Sequence, residues 1–205
     1  MNASARILAL ALHRDAAGTL LPHRSSHLLA AALLDSEIAC DALAVPWMPA
    51  LPAADAAMSE AWGARTGHEG ERHRHLRAGA AGLLAAWAPG AEIESERPRH
   101  GRGRRIRPDL EARVGGCAFL AEVGATEGDA VAALLLPGPR ARGVPRDVPA
   151  THVVVLPFAG RRSYSARGYV FRRADAPALG SPTRPELRAA WAAFTRRAAC
   201  RGPVA

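Results

Sequence analysis

Two acidic residues in the middle of the chain have the setting of a paired-carboxylate site. The motif Arg107-Pro108-Asp109 ends one strand-like segment, and Ala121-Glu122-Val123-Gly124 lies inside the next, apolar one. Carboxylates on neighbouring strands repel each other and are costly to bury, so folds that keep such a pair usually neutralise it with a proton or a divalent cation. The pair therefore predicts a metal-dependent hydrolase.

Phosphodiester hydrolysis is the chemistry that such a pair serves well. The reaction needs a hydroxide near neutral pH and a cation that absorbs the charge developing on the phosphate. Hard oxygen ligands suit Mg²⁺ or Mn²⁺. Because side chains alternate along a strand, only some acids of the two strands can meet, and we expect Asp109 to meet Glu122.

An acid on the preceding helix is a candidate third contributor. Apolar residues recur at helical spacing from about His68 to Trp87, which predicts a long helix there. Glu69 lies seven positions before Leu76 and hence on the core-facing stripe, whereas Glu71 falls further round the helix. The spacing favours Glu69, and both acids stay candidates.

Strand-type segments surround the two acids. The pattern predicts a three-stranded meander in which a Gly115-Gly116 turn joins the last two strands, followed by a helix, a buried strand that is parallel after the crossover, an edge strand and a closing helix. The predicted ranges are strands 91–97, 105–114 and 117–123, an arginine-rich loop 100–104, helix 127–136, strand 151–158, edge strand 169–173 and helix 184–200.

The first 55 residues are predicted to form an extension, and residues 56–205 a single main domain. A chain of 205 residues with 49% apolar side chains is long enough for one good core. The extension is expected to hold a hairpin over residues 6–21 and a helix from Ser25 or Ser26 to about Leu43. Three prolines between residues 46 and 52 then indicate a connector.

This order of elements, with its Pro-Asp and apolar-x-Glu motifs, resembles the PD-(D/E)xK nuclease superfamily over about residues 67–158. The resemblance implies an α/β, restriction-endonuclease-like fold in which a mixed central sheet is flanked by helices. It also implies that Asp109 and Glu122 bind Mg²⁺ or Mn²⁺ and that Glu69 or Glu71 assists them. The N-terminal pattern is similar to that of bacterial competence-protein nucleases, without the zinc-type cysteines that some of them carry.

The chain departs from that family at Gly124, where the motif lysine would lie. The sequence contains no lysine at all. Arg107 is a candidate substitute for the charge, although an arginine is permanently protonated and therefore a poor proton acceptor. Two readings stay open, an endonuclease with a different third residue, and a catalytically degenerate nuclease fold that acts as a DNA-binding or assembly subunit.

The charge of the chain indicates a polyanionic partner. All 27 Lys and Arg positions are arginine against 19 acids, giving a net charge of +8. Nucleic acid, and DNA in particular, is the expected partner, although GC-rich codon usage also enriches arginine and a basic protein-interaction module stays an alternative. A homodimer or a protein partner is also left open. The candidate contacts are Arg97, Arg99, Arg102, Arg104 and Arg105 beside the acids, and Arg140, Arg142 and Arg146 further along.

Several other classes of site are not indicated. The cysteines Cys40, Cys117 and Cys200 are far apart, so neither a disulfide framework nor a cysteine zinc site is expected. The histidines around His73 lack an HExxH frame. The apolar run at residues 7–12 is short for a signal sequence, and we expect a cytoplasmic protein without a membrane partner.

Overall fold

A computed structural model of the chain describes residues 38–63, 69–96, 99–101, 104–124, 134–135, 150–158 and 167–201. It shows a mixed α/β architecture in which a six-stranded sheet is flanked by three helices. The strands are β1 (Ala39–Ala44), β2 (Ile93–Ser95), β3 (Arg99–Gly101), β4 (Arg104–Ile106), β5 (Leu110–Val114), β6 (Cys117–Gly124), β7 (His152–Pro157) and β8 (Arg167–Arg172). The helices are α1 (Leu51–Trp62), α2 (Glu71–Trp87) and α3 (Arg184–Arg201).

The sheet has the strand order β1-β8-β7-β6-β5-β2. Strands β6 and β7 are parallel, and the other neighbours are antiparallel. The predicted meander of β2, β5 and β6 and the predicted parallel strand β7 are therefore confirmed. Strands β3 and β4 form a separate two-stranded ribbon between β2 and β5. The ribbon takes up the described residues of the predicted loop 100–104 and the start of the strand predicted at 105–114, and β5 itself begins at Leu110.

The β5–β6 hairpin follows directly from its sequence. Gly115 and Gly116 have φ of +54° and +79°, a turn conformation that glycine adopts without the strain of a side chain. The turn sets Val114 opposite Cys117 and Leu110 opposite Ala121. Side chains of both strands reach the core, which fixes this register.

The central strand β7 is buried at all six positions, as expected for a strand covered on both faces. Strand β8, predicted to be an edge strand, instead lies between β7 and β1. That prediction was wrong because β1 pairs along its whole length with β8, from Ala39 opposite Arg172 to Ala44 opposite Arg167. Pairing between segments so distant in the chain leaves no local signal.

The predicted helix ending near Leu43 is also wrong over the residues that the structure describes, since 39–44 are strand β1. Tertiary pairing with β8 prevails there over a helical pattern of apolar residues. The unpredicted helix α1 begins at Leu51 with Pro52 in its first turn, a position that proline tolerates, and buries Met58. Residue 55 falls inside α1, and residues 1–37 and the predicted hairpin 6–21 lie outside the described part, so the division into an extension and a main domain stays a prediction.

Helix α2 organises the core. It packs against α1 and α3 on its flanks and against β5, β6 and β7 of the sheet. Leu83 and Leu84 are fully buried in the same apolar cluster as Leu110 and Val154. The closing helix α3 contributes Leu187, as predicted. This arrangement presents the first turn of α2 to the ends of β5 and β6.

Other sequence predictions concern cysteines and the remaining helix. Cys40, Cys117 and Cys200 are free cysteines in the structure. Burial, with a smaller effect of the neighbouring Asp41 charge, raises the pKa of the Cys40 thiol to about 12.

Only Leu134 and Leu135 of the predicted helix 127–136 are described, and both are helical. Among the described helices, none is both long and apolar enough to cross a membrane.

Candidate active site

A cleft of about 820 Å³ opens where β5 begins, β6 ends and α2 starts. Three of the sequence-predicted acids, Asp109, Glu122 and Glu69, line it. Glu71 also lines it and is exposed. The fold thus brings all four acids into one depression, which the strand register and the position of α2 produce together.

Asp109 and Glu122 lie across from each other at the end of the β5–β6 hairpin. Leu110 pairs with Ala121, so the next positions outward are Asp109 and Glu122. Oδ2 of Asp109 accepts a hydrogen bond of 2.7 Å from the main-chain N–H of Val123, the residue after Glu122. This bond fixes the Asp109 carboxylate beside the second acid, while the role of the pair as metal ligands stays a prediction.

Glu122 is held in an unfavourable environment for a charge. Its Oε1 atom is shielded from solvent and has no hydrogen-bond partner among the described residues. Burial, and then the negative charge of Asp109, raise the pKa of the Glu122 carboxyl well above its usual range. A buried acceptor without a partner is costly, so the group is stabilised by a proton or by a cation that enters the cleft.

His73 bridges the sheet and the helix start. Its Nε2 lies 3.0 Å from Oδ1 of Asp109. Its Nδ1 lies 2.9 Å from Oε1 of Glu69. Burial lowers the pKa of His73, but the hydrogen bonds and charges of Asp109 and Glu69 more than offset this, and the net shift is upward. The ring therefore positions the Asp109 carboxylate, and in its protonated form it offsets part of the negative charge of the cleft.

Glu69 is further tied to buried arginines of α2. Its Oε2 lies 3.2 Å from Nη2 of Arg77 and 4.0 Å from Nη1 of Arg74. Arg77 also donates to Glu96 at 3.1 Å, and its guanidinium lies 5.2 Å from the Trp62 ring centroid. Of the two helix acids that the sequence proposed, Glu69 is the one that the structure connects to Asp109, through His73.

Position 124, where the family motif has lysine, is closed to a side chain. Gly124 has φ of +85°, in the left-handed region that favours glycine. A Cβ built there would lie 2.9 Å from Cζ of Phe158 and 3.4 Å from Cδ2 of His73. The guanidinium carbon of Arg72 lies 4.6 Å from the centroid of the same Phe158 ring. Both Arg72 and Phe158 line the cleft.

The other predicted basic residues divide into three groups. Arg107 is exposed and is not among the residues that line the cleft. The main chain of three others lies in the β3–β4 ribbon, which pairs Arg99 with Ile106 and His100 with Arg105 and contains Arg104. The remaining candidates, Arg97, Arg102, Arg140, Arg142 and Arg146, lie outside the described residues.

The ribbon is anchored at the cleft. The N–H of Glu96 donates to the main-chain oxygen of Asp109 at 3.3 Å, which closes the loop of chain that carries β3 and β4. Glu96 also lines the cleft and has φ of +51°, a conformation that residues other than glycine rarely adopt. The arginine-containing ribbon therefore begins directly beside the paired acids.

The cleft offers two carboxylates that could serve as ligands of a metal ion. No group of three or more histidine, cysteine or acidic side chains converges on a metal position among the residues that were placed. A closed zinc site is thus not formed by them. Mg²⁺ is commonly held by one or two carboxylates and completes its shell with water and substrate phosphate. The adjacent Asp109 and the unpartnered Glu122 oxygen match that requirement.

Sequence reasoning missed several residues of the cleft. His73 had a visible signal, because Glu69 and His73 are four positions apart within the predicted helix, a spacing that lets two side chains meet. In the structure α2 begins at Glu71, so Glu69 lies just before the helix. Arg72 and Phe158 had none, since Arg72 lies in the first turn of α2 and Phe158 follows β7, far apart in the chain. The sequence matches no protein-family model and no curated protein, and the structure matches no solved structure.

Proposed function

We propose that this protein is a metal-dependent phosphodiester hydrolase that acts on nucleic acid, with DNA as its favoured substrate. The observation that carries the proposal is the meeting of Asp109 and Glu122 in an open cleft, with one Glu122 oxygen buried and unpartnered. Two adjacent carboxylates, one of them with a buried oxygen that has no hydrogen-bond partner, are ligands of the kind that Mg²⁺ or Mn²⁺ takes.

The order of elements supports a restriction-endonuclease-like fold. Helix α2 precedes the antiparallel strands β2, β5 and β6, and β7 then lies parallel to β6. This is the order that the PD-(D/E)xK resemblance implies, with Asp109 before the second of these strands and Glu122 in the third. Strands β1 and β8 extend the sheet beyond β7.

Each residue of the cleft has a chemical role in this proposal. Asp109 and Glu122 would hold the cation, which would supply a hydroxide near neutral pH and a positive charge beside the phosphate. His73 and the main-chain N–H of Val123 orient Asp109. Glu69 orients His73 and is itself held by Arg77. The arginines of the β3–β4 ribbon are proposed to contact the phosphate backbone beside the cleft.

A plasmid-nicking assay tests the proposal. With Mg²⁺, the wild-type protein is expected to convert supercoiled DNA to nicked circles. Asp109→Asn and Glu122→Gln are expected to lower the rate by about 100-fold or more, because each removes a ligand charge at the reacting phosphate. Glu60→Gln, which changes an exposed acid on α1, is the matched control. Equal nicking by all four proteins would refute this active site.

A second candidate is a degenerate nuclease fold that binds DNA without cleaving it. The observation that favours it is the closed position 124, which leaves no room for the cation that the family motif supplies there. In that case the wild-type protein retains DNA with a steep salt dependence and shows no nicking in Mg²⁺ or Mn²⁺. Failure to retain DNA even at low salt would instead favour a basic protein-interaction module.

A further inference from the structure

Strand β6 brings no basic side chain to the cleft, because position 124 is glycine and because the structure leaves no room there for a larger residue. Strand β6 ends at Gly124, whose positive φ disfavours every other residue type. The ring of Phe158 fills the space into which a side chain at this position would extend, with its Cζ 2.9 Å from the ideal Cβ. Replacing Gly124 with lysine would therefore require Phe158 and the end of β6 to move.

Arg72 brings a positive charge to the same aromatic ring from the start of α2. It is the second residue of α2, and its guanidinium carbon lies 4.6 Å from the ring centroid of Phe158. A guanidinium at this distance from an aromatic face is attracted to it and loses rotational freedom. Phe158 therefore touches both the vacant strand position and the helix arginine.

The other two arginines of α2 are more deeply buried than Arg72. Arg74 is 2% exposed and lies 2.9 Å from Asp55, while Arg77 is 5% exposed and is paired with Glu69 and Glu96. Neither lines the cleft. Arg72 is half-buried and lines the cleft together with Asp109 and Glu122. Within the described part of α2, it is the arginine placed to meet a ligand there.

We propose that Arg72, held on the Phe158 ring, binds a phosphate of the nucleic-acid substrate next to the paired acids and replaces the motif lysine as the cleft's cation. This inference rests on the proposed function and names a residue that the reaction uses. A guanidinium contacts two phosphate oxygens at once and stays charged, so its contribution is to bind the phosphate and to stabilise the negative charge that develops on it. It does not accept a proton from the attacking water.

Four variants separate this role from a structural one. Arg72→Ala removes the charge, and Arg72→Lys keeps the charge but loses the planar contact with phosphate and ring. Phe158→Leu keeps an apolar side chain and removes the aromatic face. Arg188→Ala, an exposed arginine on α3 that does not line the cleft, is the matched control. Thermal denaturation of each variant reports whether its fold is intact.

Two measurements are made on each protein. Plasmid nicking in Mg²⁺ reports cleavage, and fluorescence anisotropy of a short fluorescein-labelled duplex in Ca²⁺ reports binding. We expect Arg72→Ala to lower cleavage by about 100-fold and duplex affinity by about 10-fold, because a phosphate contact of this kind strengthens as charge develops. Arg72→Lys and Phe158→Leu are expected to fall between Arg72→Ala and the wild type, and Arg188→Ala to match the wild type.

The outcomes distinguish this inference from the proposed function. If Asp109→Asn abolishes nicking and Arg72→Ala nicks as well as Arg188→Ala, the assignment of Arg72 is wrong and the hydrolase stands. If the wild type binds the duplex without cleaving it, equal affinities of Arg72→Ala and Arg188→Ala overturn the assignment. If the wild type neither cleaves nor binds, both proposals fail. Should Arg72→Ala unfold, the folded Arg72→Lys variant decides the question through its loss of cleavage.

Discussion

His73 joins Asp109 to Glu69 through the two nitrogens of one ring, at 3.0 Å and 2.9 Å. Both partners are carboxylates, and a neutral imidazole has only one N–H to donate. The arrangement is therefore satisfied on both sides only by the protonated ring. The protonation state of His73 therefore affects the orientation of the Asp109 carboxylate, which we propose binds metal.

Replacing His73 with glutamine should destabilise the protein most at low pH. The neighbouring acids raise the pKa of His73 in the folded state, so its stabilising effect is fully present below its usual pKa of about 6.5 and is lost as pH rises through the raised value. We expect a loss of about 1.5–3 kcal/mol in the free energy of unfolding at pH 6, which is typical of hydrogen bonds to charged groups. Urea denaturation of both proteins at pH 6 and pH 9 checks this, and a loss that does not change with pH would contradict it.

Glu122→Gln should stabilise the metal-free protein at alkaline pH. Burial and the Asp109 charge raise the folded-state pKa of Glu122, so the folded protein holds this proton more tightly than the unfolded chain. Wild-type stability then falls as pH rises from about 4.3 through the raised pKa, and the variant lacks that fall. Thermal denaturation in EDTA should give the variant a higher Tm at pH 8 and a smaller advantage near pH 5.

Divalent cations supply the complementary result. Mg²⁺ that binds the folded state should raise the Tm of the wild type but not that of Glu122→Gln. Glu60→Gln, at an exposed position of α1, should behave as the wild type with and without Mg²⁺. A Tm increase of equal size in all three proteins would place the bound cation elsewhere.

Two glycines with similar φ angles allow the crowding at position 124 to be measured. Gly116→Ala, at φ +79° with open space around its Cβ, should cost about 1–2 kcal/mol for the left-handed backbone alone. Gly124→Ala, at φ +85° and against Phe158, should cost about 1–3 kcal/mol more because the ring must move. Chemical denaturation gives both values, and equal costs would show that Phe158 yields freely.

The ribbon arginines should contribute to DNA binding through charge. Replacing Arg104 and Arg105 together with alanine should reduce the magnitude of the slope of log affinity against log salt by about 1.8, since each phosphate contact contributes about 0.9. Filter binding between low and moderate salt measures this slope. The control replaces Arg188 and Arg196, two exposed arginines of α3, and should leave the slope unchanged. A similar slope in both double variants would remove the ribbon from the interface.

The parts of the fold that the sequence predicted are those with local causes. The β5–β6 hairpin has a Gly115-Gly116 turn and strands of suitable pattern, and α3 has a clear apolar stripe. Strand β1 was missed because its hydrogen-bond partner, β8, lies at the other end of the chain. Helix α1 was missed because prolines before residue 53 indicated a connector, whereas Pro52 occupies the first helical turn.

The same distinction applies to the candidate site. The sequence placed Asp109 and Glu122 together because strand register within a short hairpin is predictable. It also identified the missing lysine at Gly124, but the positive φ and the contact with Phe158 depend on how β6 ends beside β7. The contacts of His73 and Arg72 depend on the angle at which α2 crosses the sheet, which no pattern in the chain encodes locally.

The two-glycine turn between β5 and β6 has a consequence for how this chain can diverge. Because Asp109 and Glu122 are carried on the two arms of one hairpin, their separation is set by a short, self-contained piece of backbone. Changes elsewhere in the chain that leave this hairpin intact also leave that separation intact, so the acid pair is a transferable unit.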